Sequence, residues 1–120
     1  MKIYIATPVN ARNEATIEEK RKAAYQRVLE LQEKLRAMYP DAEFHSSFDD
    51  DIAPITESGK TYWSEPTIMG ACVQRVMECD VVFLDVRWHK SKGCRIENAV
   101  ANEYGKRVLL PYQVLKRSEL

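Results

Sequence analysis

The sequence lacks an excess of charge of either sign, because lysine plus arginine and aspartate plus glutamate number 18 each and the net charge is zero. This balance argues against the basic footprint by which proteins bind nucleic acid polymers or lipid surfaces. The chain also lacks any apolar run near the roughly 20 residues that a membrane-spanning helix needs. Its first segment, Lys2–Ala6, is too short and too polar-flanked for a signal peptide. We therefore expect neither a nucleic acid polymer nor a membrane as a partner.

Cysteine is also scarce, since the chain has three, Cys72, Cys79 and Cys94. An odd number without paired spacing predicts no disulfide framework, and a reducing cytoplasm is the simplest location. Together with His45 and His89 the cysteines do not match a zinc-binding pattern, so we interpret them as small buried hydrophobic residues. We expect no metal and no cofactor.

Strand-like and helix-like segments alternate along the chain, and 45% of its 120 residues are hydrophobic, enough for one core. The predicted strands are Lys2–Ala6, Ala42–His45, Val81–Val86 and Arg107–Pro111; the predicted helices are Glu14–Tyr39, Thr67–Glu78 and Cys94–Tyr104, with a short helical turn in Tyr112–Leu120. Right-handed βαβ crossovers then predict a single α/β domain over residues 1–120. It is a flavodoxin-like three-layer sandwich whose mostly parallel sheet has four or five strands, ordered 2-1-3-4.

The long first helix carries an apolar stripe at three- and four-residue steps, formed by Ile17, Ala24, Val28, Leu31, Leu35 and Met38. It begins at an Asn13 or Thr16 cap. The stripe is flanked by Tyr25, Leu29, Met38 and Tyr39. This is more apolar surface than a few short strands can cover, so we predict a homodimer or a dimer of dimers. In the second helix, the expected inward positions are Ile68, Cys72 or Val73, Val76 and Met77.

A long segment with little periodicity, Ser46–Pro66, separates the second strand from the second helix. Unstructured segments of this length in a compact domain tend to be lids or binding loops. Its Asp49–Asp51 run lacks EF-hand spacing and is interpreted as a solvated acid cluster. Trp63, in the same segment, and Trp88 could stack on a base, Trp63 being the better candidate, or they could seal the core.

The most informative segment follows the predicted strand Val81–Val86, where a small-residue turn opens a helix that carries Glu97 near its start. Open α/β sheets bind ligands at the carboxyl ends of their strands, so Glu97 is the candidate reactive acid. Ser91 and Gly93 can face an anion at the helix amino terminus. The alternatives are that Glu97 only complements the helix dipole and Ser91 only caps the helix. A Cys94 nucleophile, with its pKa lowered by the helix start, is a further alternative.

Three segments carry a resemblance to a known family: Ile3-Tyr4-Ile-Ala-Thr-Pro8, Cys79-Asp80-Val-Val-Phe, and Trp88-x-x-Ser91-x-Gly93-Cys94-x-x-Glu97-x-x-x-Ala101-x-x-x-Gly105. Together they resemble the nucleoside 2-deoxyribosyltransferase superfamily, in particular its small bacterial and phage branch. More distantly they are similar to the deoxynucleoside 5′-monophosphate N-glycosidases. The last segment is the specific one. The resemblance implies that Glu97 attacks the anomeric carbon of the sugar and that Tyr4 lies beside the sugar or the nucleophile. Without the resemblance, a tyrosine on a buried strand is more often a core residue.

The resemblance also bears on the rest of the site. In the superfamily an aspartate contacts the departing base, and its position, eight residues before Asp80, holds Cys72. Candidate substitutes are Asp85 and the Asp49–Asp51 run. A serine at the Ser91 position is typical of the monophosphate hydrolases, whereas the nucleoside transferases carry an aspartate there. The resemblance therefore implies a nucleoside 5′-monophosphate as ligand.

We predict a nucleotide N-glycosidase or deoxyribosyltransferase-like protein with a small-molecule nucleotide or nucleoside as its partner. The predicted catalytic residues are Glu97 and Tyr4; the predicted substrate-binding residues are Ser91, Gly93, Cys94, Asn10, Arg12, Trp88 and Asp85. The alternative is a non-catalytic nucleotide-binding module on the same scaffold, and a third hypothesis is a sensor of a non-nucleotide phosphate or sugar. Fold alone does not distinguish these hypotheses.

Overall fold

The computed structural model describes residues 1–9, 16–55 and 64–120. Within this part of the chain the strands are β1 (Lys2–Ala6), β2 (Glu43–His45), β3 (Val81–Leu84) and β4 (Arg107–Leu109), and the α-helices are α1 (Ile17–Met38), α2 (Glu65–Glu78) and α3 (Lys92–Glu103). Short 3-10 helices span Trp88–Lys90, Pro111–Gln113 and Arg117–Glu119. The predicted elements are confirmed, with ends that differ by a few residues.

The four strands form one parallel sheet in the order β2-β1-β3-β4. Side chains of a strand point alternately to the two faces of its sheet. Ile3 and Ile5 of β1 therefore join the core under α1, whereas Tyr4 and Ala6 join the core under α2 and α3. The prediction of a flavodoxin-like α/β sandwich with three layers and strand order 2-1-3-4 is confirmed. The same alternation places Tyr4 on the side of the sheet where Glu97 lies.

Helix α1 begins where the Thr16 hydroxyl accepts a hydrogen bond from the Glu19 backbone N–H at 3.2 Å, so the Thr16 cap is confirmed. Four residues of the predicted stripe, Ala24, Val28, Leu31 and Leu35, are buried. The prediction is wrong at the two ends, because Ile17 and Met38 are 54% and 46% exposed. A helix of 22 residues is about 33 Å long, roughly twice the length of a five-residue strand such as β1. Its ends therefore extend beyond the sheet that covers its middle.

The apolar residues that flank this stripe divide into two pairs. Tyr25 and Tyr39 pack against the core, and the Tyr25 ring meets the Phe48 ring edge-on with centroids 5.6 Å apart. Leu29 and Met38 are the exposed pair. The apolar surface left on α1 is therefore smaller than the sequence suggested. None of the helices among the described residues combines the length and apolar character that a membrane-spanning helix requires.

Helices α2 and α3 each begin two residues earlier than predicted, because serine side chains cap both of them. Ser64 accepts from the Thr67 backbone N–H at 3.4 Å, and Ser91 accepts from the Cys94 backbone N–H at 3.3 Å. On α2, Cys72 rather than Val73 is buried, and the inward prediction for Met77 is wrong because this side chain is 39% exposed.

Candidate functional site

A cavity of about 370 Å³ lies at the carboxyl end of β1 and is lined by residues from both faces of the sheet. Ligands of open α/β sheets bind at this end of the strands. One side is formed by the start of α1 and by the loop after β2, and the other by α2 and α3. The described lining residues are Tyr4, Ile5, Ala6, Thr7, Val9, Ile17, Arg21, Ser47, Phe48, Ala53, Ile68, Met69, Cys72, Ser91, Gly93, Cys94 and Glu97.

Glu97 and Tyr4, the two predicted catalytic residues, meet inside this cavity. The Tyr4 hydroxyl donates a short hydrogen bond to Glu97 Oε2. Both side chains are buried, with exposed fractions of 1% for Tyr4 and 6% for Glu97. The side-chain alternation along β1 turns Tyr4 toward α3. The Ser91 cap starts α3 and lies six residues before Glu97. The strand and the helix thus hold a carboxylate and a phenol in direct contact.

Burial controls the protonation of this pair. It raises the pKa of Glu97 to about 7, because a dry environment disfavours the charged carboxylate, and the hydrogen bond from Tyr4 acts in the opposite direction. The pKa of Tyr4 is raised well above its ordinary value, first by burial and then by the Glu97 charge. Near neutral pH, Glu97 is therefore divided between its acid and its carboxylate forms while Tyr4 remains a neutral donor. A carboxyl group in this condition can act as a nucleophile or as a base.

Two thiols lie next to this pair. Cys72 and Cys94 line the cavity and are each 3% exposed. Burial, and after it the charge of Glu97, raises the pKa of each thiol to about 12. Both thiols are therefore protonated at neutral pH. For Cys94 this is opposite to the lowering expected at a helix start, which argues against Cys94 as a thiolate nucleophile.

Ser91 and Gly93 line the same cavity at the amino end of α3. Ser91 is the N-cap residue of α3, so its hydroxyl has a structural role and also borders the cavity. A Cβ added at Gly93 would lie 3.7 Å from the Met69 sulfur, an ordinary contact distance. The predicted substrate-binding residues Ser91, Gly93 and Cys94 are thus brought together beside Glu97.

Asp85 and Trp88, also predicted to bind substrate, lie outside the lining of this cavity. The Asp85 carboxylate accepts two hydrogen bonds from Arg27, both of 3.0 Å, and one of 2.7 Å from the Val86 backbone N–H. Trp88 packs against the core formed with α2 and α3. Asn10 and Arg12, predicted to contact a phosphate, and Trp63 lie outside the described residues.

Arg21 is a cavity residue that the sequence reasoning missed. Its side chain is buried, with 6% exposed, and its Nη2 donates to the Ala53 carbonyl oxygen at 2.8 Å. The guanidinium also lies 5.7 Å from the centroid of the Phe48 ring. Desolvation lowers the pKa of Arg21. The available signal was its spacing: Arg21 is four residues after Ile17 and three before Ala24, which places a charge on the buried face of α1.

The described part of the long loop borders the cavity through Ser47, Phe48 and Ala53. Asp49 and Asp51 are paired rather than only solvated, which corrects the interpretation of the Asp49–Asp51 run for two of its three residues. Arg75 of α2 donates short hydrogen bonds to both Asp49 and Asp51. Among the described residues there is no group of three or more histidine, cysteine or acidic side chains that could hold a metal ion. The acidic run therefore anchors this part of the loop to α2.

Comparison with known proteins adds a family and no function. Residues 1–110 match the family model described as Domain of unknown function (DUF4406). No curated protein matches the chain. No solved structure matches it either.

The raised pKa of Glu97 predicts a pH dependence of stability that Glu97→Gln removes. Because the pKa in the folded protein lies above the ordinary value of 4.5, the contribution of Glu97 is fully present below pH 4.5 and is lost as the pH rises through about 7. We expect the free energy of unfolding of Glu97→Gln to gain about 3 kcal/mol relative to the wild type between pH 4.5 and pH 7.5. Urea unfolding at both pH values measures this difference.

The matched control is Glu103→Gln, which removes an exposed carboxylate from the same helix. It should follow the wild type at both pH values. A constant difference between Glu97→Gln and the wild type across this range would contradict the raised pKa.

Proposed function

The chain belongs to the DUF4406 family, and we propose that this member is a nucleotide N-glycosidase or deoxyribosyltransferase-like enzyme. It acts on a nucleoside 5′-monophosphate through Glu97 as the nucleophile. The observation that carries the proposal is the buried hydrogen bond from Tyr4 to Glu97 inside a cavity at the carboxyl end of β1. The three segments that resemble the nucleoside 2-deoxyribosyltransferase superfamily support the same assignment, because both residues occupy positions that the resemblance marks.

The chemistry requires a carboxylate on the face of the sugar opposite to the base. Cleavage of an N-glycosidic bond passes through a state with positive charge on the sugar ring, which a carboxylate stabilises or captures. In the proposed reaction Glu97 attacks the anomeric carbon and forms a glycosyl ester, which water or a second base then resolves. The Tyr4 hydroxyl holds one carboxyl oxygen, so the other is directed to the sugar. Exclusion of water by a bound substrate strengthens each of these electrostatic interactions.

A monophosphate is favoured over a free nucleoside by three features of the cavity. The Ser91 hydroxyl and the amino terminus of α3 border it, and both are compatible with an anion. A carboxylate at position 91 would repel a phosphate. The buried guanidinium of Arg21 adds positive potential from the α1 side.

A second candidate function is nucleotide binding without turnover, and Cys72 is the observation that favours it. Because burial raises the pKa of the Cys72 thiol to about 12, this thiol is a poor acid for a departing base. The cavity would then hold a nucleotide without releasing it as sugar and base. Release of free base distinguishes the two functions.

Oligomeric state and location complete the proposal. Leu29 and Met38 are exposed on α1, but they are nine residues apart and so lie on opposite sides of the helix. We keep the homodimer or dimer of dimers as a proposal, with either side chain as a candidate contact. The three cysteines are unpaired and buried, which fits a reducing cytoplasm.

Glu97→Gln is expected to abolish release of the base while it leaves monophosphate binding within about threefold of the wild type. The substitution keeps the shape and the hydrogen-bond acceptor for Tyr4 but removes the charge that is needed in the transition state. We expect turnover to fall by about 1000-fold or more. Chromatography of free base from a panel of nucleoside 5′-monophosphates measures turnover, and calorimetry measures binding. Turnover within threefold of the wild type would remove Glu97 from the mechanism.

The rate of base release should rise with pH through about 7, because the nucleophile must be ionised and the pKa of Glu97 is about 7. Tyr4→Phe removes the hydrogen bond that lowers this pKa. The midpoint of the rise should therefore shift to higher pH in Tyr4→Phe. A pH–rate profile of kcat/KM for each protein tests both statements. A rate that falls through pH 7 would instead make Glu97 a general acid.

The contribution of Arg21 is tested by Arg21→Met on a monophosphate and on its matching nucleoside. Because the cation acts on the phosphate charge, we expect KM to rise about tenfold for the monophosphate and to change little for the nucleoside. Arg21→Lys should restore part of the loss. Lys22→Met is the matched control, since it removes a neighbouring exposed charge of α1. Equal effects on both substrates would show that Arg21 supports the cavity wall rather than the phosphate.

A further inference from the structure

The proton-bearing groups of the cavity, together with its apolar α2 wall, point to a narrower substrate class. This inference rests on the proposed function. We infer that the preferred substrate is a nucleotide whose base is a cationic ring bonded to the sugar through nitrogen. A pyridinium and an N-alkylated purine share this chemistry. Such a base leaves as a neutral molecule and needs no proton from the protein.

Among the described residues that line the cavity, the groups with an acidic proton are the Glu97 carboxyl, the Tyr4 hydroxyl and the thiols of Cys72 and Cys94. Glu97 must be ionised to act as the nucleophile. The proton of Tyr4 is already directed to Glu97 Oε2. The two thiols are buried next to this pair and hold their protons tightly. Arg21, the cation among the described lining residues, lies on the α1 side and is assigned above to the phosphate. A neutral purine or pyrimidine would therefore leave the described α2 side of this site as an anion.

The wall beside Glu97 makes such an anion costly. Among the described residues, α2 contributes Ile68, Met69 and Cys72 to the lining, so the described part of this side consists of hydrocarbon and sulfur. An anion that forms against such a wall exchanges its hydration for apolar contacts and is strongly destabilised. A cationic ring changes in the opposite sense, because it becomes neutral as the bond breaks. The same wall then favours the departing base.

The ground state also fits a cationic ring. Burial makes the ionised form of Glu97 unfavourable, and an opposite charge placed near it restores that form. A cationic base in the cavity therefore helps to generate the nucleophile that attacks its own sugar. A neutral base supplies no such compensation.

The reaction balances without a further reagent. One Glu97 oxygen donates an electron pair to the anomeric carbon and forms the C–O bond. The C–N bond breaks, and its electron pair goes to the ring nitrogen and cancels the positive charge of the ring. Water then attacks the glycosyl ester, the electron pair of the C–O bond returns to Glu97, and the proton of the water goes to solvent.

The experiment compares two matched pairs of nucleotides with the intact protein, each read as free base. 7-Methylguanosine 5′-monophosphate and guanosine 5′-monophosphate differ by the methyl group that fixes the cation. Nicotinamide mononucleotide and adenosine 5′-monophosphate share ribose and phosphate but differ in the charge of the base. Each rate is divided by the uncatalysed rate of the same nucleotide, so the comparison is corrected for the greater intrinsic lability of cationic nucleotides. We expect the cationic member of each pair to show a rate enhancement about 100-fold larger or more.

The two cationic substrates also distinguish between the two classes of cationic base. Cleavage of nicotinamide mononucleotide alone assigns the site to pyridinium nucleotides, and cleavage of the methylated guanosine nucleotide alone assigns it to alkylated purines. Equal or larger enhancements for adenosine and guanosine monophosphates would overturn the inference and leave the proposed function intact. Release of no base from any of these four ribonucleotides would overturn the inference. The proposed function would be overturned as well only if the wider panel of nucleoside 5′-monophosphates, including deoxynucleotides, also released no base.

A pair of variants at position 72 supplies an independent readout. Cys72→Asp adds an acid beside the base, and Cys72→Asn has the same size without the acid. We expect adenine release to be about tenfold or more faster in Cys72→Asp than in Cys72→Asn, and the ratio of nicotinamide to adenine release to fall accordingly. Equal adenine release in the two variants would mean that another group already protonates the base, which contradicts the inference. If either variant fails to fold, the matched substrate pairs with the wild-type protein still decide.

Discussion

The site depends on a carboxylate held out of water by the fold. Glu97 is almost fully buried and receives one hydrogen bond, from Tyr4. A buried carboxylate is costly in its charged form, and this cost raises its pKa toward neutrality. The two elements that keep the carboxylate in place are β1, the central strand that carries Tyr4, and α3, which begins at the Ser91 cap. In the proposed reaction, the same burial that destabilises the ionised group favours its attack on a sugar that develops positive charge.

Several parts of this arrangement were predictable from the sequence because they depend on local patterns. The alternation of β1 and the apolar run of β3 predict a covered parallel sheet, and the capped turn before Glu97 predicts a helix with an acid near its start. The contact between Tyr4 and Glu97 was accessible only through the resemblance, because the two residues are 93 positions apart. No periodicity within either segment indicates that they touch.

Asp85 illustrates why the rest was not predictable. A polar residue at the carboxyl end of a buried strand can face a ligand or can pair with a charge from another element, and the local sequence is the same in both cases. Here the partner is Arg27 of α1, which is 58 positions away and holds both carboxylate oxygens. Asp85 also accepts from the Val86 backbone N–H, next to Arg87, which has a positive φ of 67°. This pairing fixes the turn between β3 and α3, so Asp85 supports the segment that presents Ser91.

Two arginines attach the described part of the loop after β2, residues 46–55, to the helices and so help to form the cavity wall. Arg21 of α1 donates to the Ala53 carbonyl oxygen, and Arg75 of α2 donates to Asp49 and Asp51. The loop is therefore attached to helices on opposite faces of the sheet. Phe48, directly before the first of these attachments, packs against the core and also lines the cavity. Because Arg75 is one turn from Cys72 on α2, the helix that anchors the loop also supplies the apolar wall beside Glu97. Loop position and the environment of Glu97 are thus coupled through a single helix, so a change in either arginine contact should alter the shape of the cavity on which the burial of Glu97 depends.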